Sequence, residues 1–433
     1  MNILMMTNTY TPFVGGVERS VETFTEEYRQ KGHEVVIVAP TFEDMPENEA
    51  GVVRIPAIQH FNGTDFSVRL PIPGILSSAL ADFEPDIVHS HHPYLIGDTA
   101  RRVSAKHQTP LVFTFHTFYE RYTHYVPGDS PALKRFTAAL SAGYANLADQ
   151  VFAPSESVAR ELRRRGVVRP IEVVPTGIDY DRFADGDGRS LRQAAGVTED
   201  DFVVGFVSRI APEKNIAFLC RAVSDFLKKN RRAHFFMAGS GPSEPDAKRI
   251  FESEGVDDRL HVFGVLKGQE LIDVYHALDV FAFASHTETQ GLVLTEAMAA
   301  GVPVVGVDAS GVREVIDDYS NGRLLPYDDK QTFSGALQWV SSLSGDDRKE
   351  LSKKARQTAR AFGKDVCADK ALERYAALRE AEFPRSRDHV SGPWDDAMRR
   401  IKVECDMVAN IARATSAVLE SEEALKEEEE EGE

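Results

Sequence analysis

From Asn2 to Asp308 the chain alternates short apolar runs with stretches of helical periodicity, in two successive series. The first series holds "NILMMT", "HEVVIVAP", "DIVHSH", "PLVFTFH", "QVFAPS" and "IEVVPTG". The second holds "FVVGFVSR", "HFFMAGSG", "LHVFGVL", "DVFAFAS" and "PVVGVD". Runs this apolar, without polar alternation, are covered on both faces, and strands joined through helices pair in parallel. Two such series dictate an α/β chain with two parallel, Rossmann-like sheets layered by helices. The 433 residues suffice for two or three domains with separate cores. The Gly- and Asp-rich stretch "TGIDYDRFADGDGRS" reads as the join. The expected layout is a first domain over residues 1–178, a linker over 179–195 and a second domain over 196–363. The apolar stripe of "DKALERYAALREAEF" predicts a helix over 364–383 that packs back on the first domain. Residues 384–433 read as a second linker, a long helix and an acidic tail.

Charge narrows the function classes. The net charge is −18, but nine acids against Lys426 between Glu420 and Glu433 supply −8 of it, leaving −10 for the rest. That balance argues against general nucleic-acid binding. The widely spaced Cys220, Cys367 and Cys405 form neither a disulfide framework nor a zinc motif, which fits a reducing compartment. "MNILMMTNTY" lacks a basic leader, and no run of about 18 apolar residues is present to span a bilayer. A cytoplasmic protein is expected.

The chemistry gathers on the C-terminal rims of the strands, where open α/β sheets bind ligands. "HTETQGLVLTEAMAAG" follows the buried run "DVFAFAS" and opens a helix after Gly291, with Gly301 and Pro303 as its stop signals. The N–H groups that begin at Leu292 favour an anion. Glu288 lies on the rim and Glu296 inside the helix. They admit three readings: a glycosidase acid–base pair, metal ligands with His286, or acceptors for sugar hydroxyls, two per carboxylate. The third is favoured, since one strand–loop–helix unit seldom supplies both glycosidase carboxylates. Three loops, "SRIAPEKN", "GSGP" around Gly241 and "HTETQG", are expected to converge. Arg209 and Lys214 with a facing helix start can neutralise a pyrophosphate without a metal; alone they read equally as solvated charges.

In the first half, "HSHHPY" is a weak metal candidate, because the strand end is expected to splay its side chains apart. His116, in "TFHTFYERYTHY", reads as a structural imidazole until a ligand faces it. The pairs Asp179/Asp181 and Asp185/Asp187 are discounted as metal–diphosphate motifs because they sit in the linker. "FVGG", ending at Gly16, opens a helix and is a second anion-friendly terminus.

Together these motifs resemble the retaining, nucleotide-sugar-dependent glycosyltransferases of GT-B fold in the family-four group, over Met1 to about Tyr375. The pair Glu288-x7-Glu296 is that group's most specific signature; "VSRIAPEKN" is similar to its phosphate clamp, "FVGGVERS" to its glycine loop and "VVPTGID" to its linker entry, with Thr176 where Asn is usual. The resemblance implies an enzyme whose parallel sheets face each other across a cleft. It also implies that Glu288 holds the donor hexose, Glu296 the ribose, and Arg209 and Lys214 the diphosphate. Gly16, Gly241, Gly291 and Leu292 would lie along the donor, His116 beside the reacting centre, and Tyr119 and Tyr122 on the acceptor side. No metal or cofactor is implied, only a nucleotide sugar as co-substrate, with UDP-glucose expected. Within the group, "HSHHPYLIG", "HTFYERYTHY", "EKNI" and "ETQG" look most like diacylglycerol glycosyltransferases, which act on a membrane lipid. One departure is Gly15-Gly16-Val17-Glu18-Arg19-Ser20, where those enzymes commonly show Asn-Gly-Val before a Thr-Ser pair.

The alternatives are the same donor chemistry on a soluble sugar, polysaccharide or other alcohol, or a nucleotide-sugar-binding protein without turnover. Basic groups at Arg101, Arg102, Lys106, Lys134, Arg135, Arg160 and Arg163 to Arg165 suggest contact with an anionic membrane, at roughly 1 kcal/mol per cation near the surface. A solvated helix face explains them as well. The expectation is a protein peripheral on the inner face of the plasma membrane.

Overall fold

The computed structural model describes residues 1–13, 15–46, 49–58, 68–69, 75–123, 128–382 and 392–431. The chain divides into two compact units, one made of Met1–Pro175 with Cys367–Glu433 and the other of Thr176–Val366.

The first unit is built on a parallel sheet of seven strands. In chain order these are β1 (Asn2–Met6), β2 (Glu34–Pro40), β3 (Val52–Ile55), then, after the two-residue antiparallel pair β4 (Ala57–Ile58) and β5 (Val68–Arg69), β6 (Ile87–Ser90), β7 (Leu111–Thr114), β8 (Gln150–Ala153) and β9 (Ile171–Val173). Their spatial order is β3-β2-β1-β6-β7-β8-β9. The reversal falls between β1 and β6, which pair directly, with Met6 beside Ser90. That switch point is where a doubly wound sheet opens a crevice. The central strands β1, β6 and β7 are buried on both faces, as their unbroken apolar runs require. One face is completed from far along the chain: Cys367, Ala368, Ala371 and Tyr375 of the helix Lys364–Glu382 join Ile3, Met5, Phe24 and Tyr28 in one core.

The second unit has six parallel strands: β10 (Phe202–Val207), β11 (Ala233–Ala238), β12 (Leu260–Gly264), β13 (Val280–Phe283), β14 (Val304–Val307) and β15 (Gly322–Leu325). Their order, β12-β11-β10-β13-β14-β15, is the doubly wound pattern, with the switch between β10 and β13. All the second-series strands expected from sequence are present. The edge strands β3 and β15 went unread: "VVRI" and "GRLL" carry an arginine each and are too short to stand out.

The expected linker differs. "TGIDYDRFADGDGRS" folds onto the second unit, carrying the helix Tyr180–Ala184 and entering the helix Arg189–Ala194. Phe183 is buried in that unit's core, and Gly188 lies so close to Ala277 that a Cβ would meet backbone at 2.2 Å. Three of the four acids there have partners. Asp179 caps the first helix and pairs with Lys364, Asp181 pairs with Arg360, and Asp187 pairs with Arg189. The second expected linker, Pro384 to Pro393, lies outside the described residues except Gly392 and Pro393, and Pro393 already opens the helix Pro393–Glu431. Among the described residues no helix is long and apolar enough to cross a membrane.

Candidate active site

In the second unit, sequence-distant residues meet at the switch point. The loop after β10 carries Arg209 and Lys214, and the loop after β13 carries Glu288. Lys214 Nζ and Glu288 Oε1 form an ion pair, each side chain only 16% exposed. Ser285 Oγ donates to the same Glu288 oxygen at 2.8 Å and stands 3.2 Å from the Glu213 carbonyl, tying the two loops together. The loop after β11 joins them. Ile210 N donates to the Ser240 carbonyl and Ser243 N to the Ile210 carbonyl, both at 2.9 Å. Gly241 permits that approach, since a Cβ there would lie 2.2 Å from the Ile210 oxygen. The three loops therefore converge as expected. Arg209 is more open and lies 3.9 Å from Glu213.

Gly291, at φ +74°, turns the chain into the helix Leu292–Ala299. Only glycine takes that conformation without strain, and the neighbouring Gly311 carbonyl would sit 3.0 Å from a Cβ. Glu296 is placed differently from Glu288. It is 2% exposed, inside the unit rather than on its rim, and accepts a hydrogen bond from Tyr275 Oη at 2.7 Å. Burying a carboxylate without such a donor would be costly. Neither Tyr275, on the amphipathic helix Gly268–His276, nor Ser285, in the loop after β13, belongs to a motif that marks it in sequence. Gln290 lies in the same loop, in "HTETQG". Its amide grips Thr176 at both backbone groups, accepting from N at 2.6 Å and donating to O.

In the first unit, four imidazoles gather at the ends of β6 and β7. His89 and His91, two apart, share a face with ring centroids 4.2 Å apart, so the expected splaying does not occur; only His92 turns away, accepting from Asn8 N at 3.1 Å. His91 Nδ1 and His116 Nε2 are 2.9 Å apart with stacked rings. His89 lies between Thr114 Oγ1, at 2.7 Å, and Tyr375 Oη, at 2.6 Å. Burial pushes His89 and His92 down to about 3; burial and then the neighbouring imidazoles hold His91 and His116 well below the usual range. The cluster is neutral. His91 Nε2 and Tyr119 Oη are buried without a hydrogen-bond partner among the described residues. Tyr119 packs edge-on against Tyr94, while Tyr122 follows the short turn Tyr119–Arg121. Tyr125, from the same motif, lies outside the described residues, as does Val14. Among the described residues no group of three or more His, Cys, Asp or Glu is placed to hold a metal ion.

The glycine loop differs in detail. Gly16 opens the helix Gly16–Gln30 with open space where a Cβ would be, whereas a Cβ on Gly15 would lie 2.5 Å from the Glu18 carboxylate. The close approach is thus at Gly15, and an acid already lies over that helix start.

The expected basic face is largely occupied. Arg101 pairs with Asp406 and Arg102 with Glu404 on the terminal helix; Arg163 pairs with Glu156, and Arg164 and Arg165 with Glu161.

Residues 14–182 match the model of Glycosyltransferase Family 4, and residues 187–358 match that of Glycosyl transferases group 1. An alpha-monoglucosyldiacylglycerol synthase of Streptococcus pneumoniae is 30% identical over 376 residues, covering 84% of each chain. A GDP-mannose-dependent alpha-mannosyltransferase of Corynebacterium glutamicum is 28% identical, covering 78% of this chain and 80% of its own. The crystal structure of HepE from Anabaena in complex with UDP superposes with a TM-score of 0.67 at 19% identity, covering 87% of this chain and all of that one. The chain belongs to family 4 of the glycosyltransferases, an enzyme class built, as here, from the two Rossmann-like domains of the GT-B fold.

Proposed function

We propose that the protein transfers a hexose, glucose from UDP-glucose, onto a membrane lipid of the diacylglycerol type, with retention at the anomeric carbon and without a metal. The observation that carries this reading is the Lys214–Glu288 pair at the switch point of the second unit, beside the helix that starts at Leu292. A cation and an acid held together there suit a ligand that is anionic at one end and rich in hydroxyls at the other.

In this reading Arg209, Lys214 and the helix start take the diphosphate, Glu288 accepts hydrogen bonds from the hexose, and Glu296 accepts from the ribose while Tyr275 fixes its orientation. The bond between the anomeric carbon and the phosphate oxygen breaks as the acceptor oxygen bonds to the same face of that carbon. The acceptor's proton passes to the departing diphosphate, whose charge Arg209 and Lys214 neutralise. His116 is assigned to the reacting centre and Tyr119 and Tyr122 to the acceptor; a neutral His116 offers a hydrogen bond without repelling developing positive charge. The name of the pneumococcal relative supports the lipid acceptor.

The test is product analysis by mass spectrometry with UDP-glucose, UDP-galactose and GDP-mannose, each with diacylglycerol vesicles or with soluble sugars. A glucosyl lipid with an α linkage, formed equally well in chelator, is expected. A product on soluble sugar alone overturns the lipid assignment, and a mannosyl product overturns the donor.

A further inference from the structure

The helix Pro393–Glu431 lies outside both family matches and is apolar on two opposite sides. Its inner stripe, Val403, Met407, Asn410 and Ala414, is buried against the helices Ile96–His107 and Pro131–Ala145. Asn410 donates to the Leu140 carbonyl at 3.2 Å and rests on Gly143, where a Cβ would lie 1.7 Å from its oxygen. Its outer stripe is Trp394, Met398, Ile401, Cys405, Val408, Ala412, Thr415 and Leu419, all exposed. Trp394 is 81%, Ile401 55% and Val408 64% open. At 100° per residue the two stripes are centred roughly 160° apart.

We propose that the outer stripe is the seam of an antiparallel coiled coil with a second copy of this chain. The spacing alternates strictly between four and three residues from Trp394 to Leu419, a length of roughly 39 Å and the repeat of a narrow helix–helix seam. A contiguous apolar stripe of this length, left open on a helix already docked by its other side, marks an interaction surface. The charge sequence then selects the occupant. The same helix continues into the acids of Glu420–Glu431, which an anionic lipid surface would repel, and a parallel partner would bring two such runs side by side.

Antiparallel pairing separates those runs and matches sizes. Trp394 meets the partner's Leu419, Met398 the partner's Thr415, Ile401 the partner's Ala412, and Cys405 the partner's Val408. Met398 and Ile401 are large where Thr415 and Ala412 are small, so reversal keeps the inner layers even in volume. The seam is self-complementary about a two-fold axis between Cys405 and Val408. Beside it, Lys402 faces the partner's Ala409 and Glu404 the partner's Ile411, so no like charges oppose.

Sedimentation velocity on the full chain tests this. A dimer is expected, and Ile401→Glu with Val408→Glu should give a monomer with an unchanged circular dichroism spectrum, since both residues point outward. On a Cys405→Ser background, a mixture of Ile401→Cys and Ala412→Cys chains should oxidise to a cross-linked dimer that neither forms alone. Cross-linking of either variant with itself overturns the antiparallel arrangement. A monomeric wild type, or a dimer indifferent to the two glutamates, overturns the proposal. So does a monomer that binds phosphatidylglycerol vesicles through Ile401 and Val408, which would give the stripe to lipid.

Discussion

Glu288 shows how one side chain couples two loops. Its carboxylate is held by a cation and a hydroxyl, so replacement by Gln keeps the shape and a hydrogen-bonding oxygen while removing the charge. Glu288→Gln should lower transfer by about 10²- to 10³-fold, the scale for losing one preorganised electrostatic contact. Its melting temperature should stay within a few degrees of the wild type. Near-normal turnover would remove Glu288 from the chemistry. Tyr275→Phe is a different case: it leaves the buried Glu296 carboxylate short of a donor, which costs about 1–3 kcal/mol. Urea unfolding of the second unit should show that loss, and the KM for the donor should rise more than kcat falls. Residue type and spacing singled out Glu288 and Glu296 but left three readings open; their pairing as a signature came from the resemblance to a known family. Tyr275 was not legible, because one tyrosine on the buried face of an amphipathic helix looks like packing until the fold brings its hydroxyl to Glu296.

At the scale of elements, the imidazole cluster at the ends of β6 and β7 makes the first unit sensitive to acid. His89 and His92 are neutral when folded, with values of about 3, and rise to the ordinary value near 6.5 when unfolded. The unfolded chain therefore binds more protons between those values, so stability is whole above about pH 6.5 and falls as pH drops toward 3. The slope approaches about 1.4 kcal/mol per pH unit for each imidazole. Melting temperatures of the first unit should fall steadily from pH 7 to pH 5, and His92→Asn should flatten the slope; a pH-independent midpoint would refute this. The docking of the terminal helix gives a second prediction. Gly143→Ala drives a methyl into Asn410, and overpacking of this kind costs typically about 1–3 kcal/mol. Hydrogen exchange should speed up across Pro393–Leu419 first. Sequence foresaw the strands bearing the histidines and the terminal helix, because periodicity is local. It missed that His89 meets Tyr375, 286 positions away, since nothing in a single chain links such positions before folding.

For the whole molecule, two compact units whose buried clusters share no residue imply two unfolding transitions rather than one. UDP should raise only the transition of the second unit, by about 2.7 kcal/mol at a hundred times its Kd. Calorimetry with and without UDP checks this, and an equal shift of both transitions would contradict it. The alternation of strand and helix foretold two Rossmann-like units, because βαβ connectivity leaves few other arrangements. The boundary was harder to place: Gly- and Asp-rich composition reports turns, and turns can be folded onto a neighbour as at Gly188.

The first unit takes its final wall from residues that follow the whole second unit in the chain. During synthesis, a ribosome releases β1 to β9 long before Tyr375 leaves the exit tunnel. Until then the nascent first lobe exposes Tyr28, Phe152 and His89 on the side that Tyr375 will cover. A polypeptide stalled before that point should engage chaperones and be digested readily, whereas one extended past Glu382 should resist.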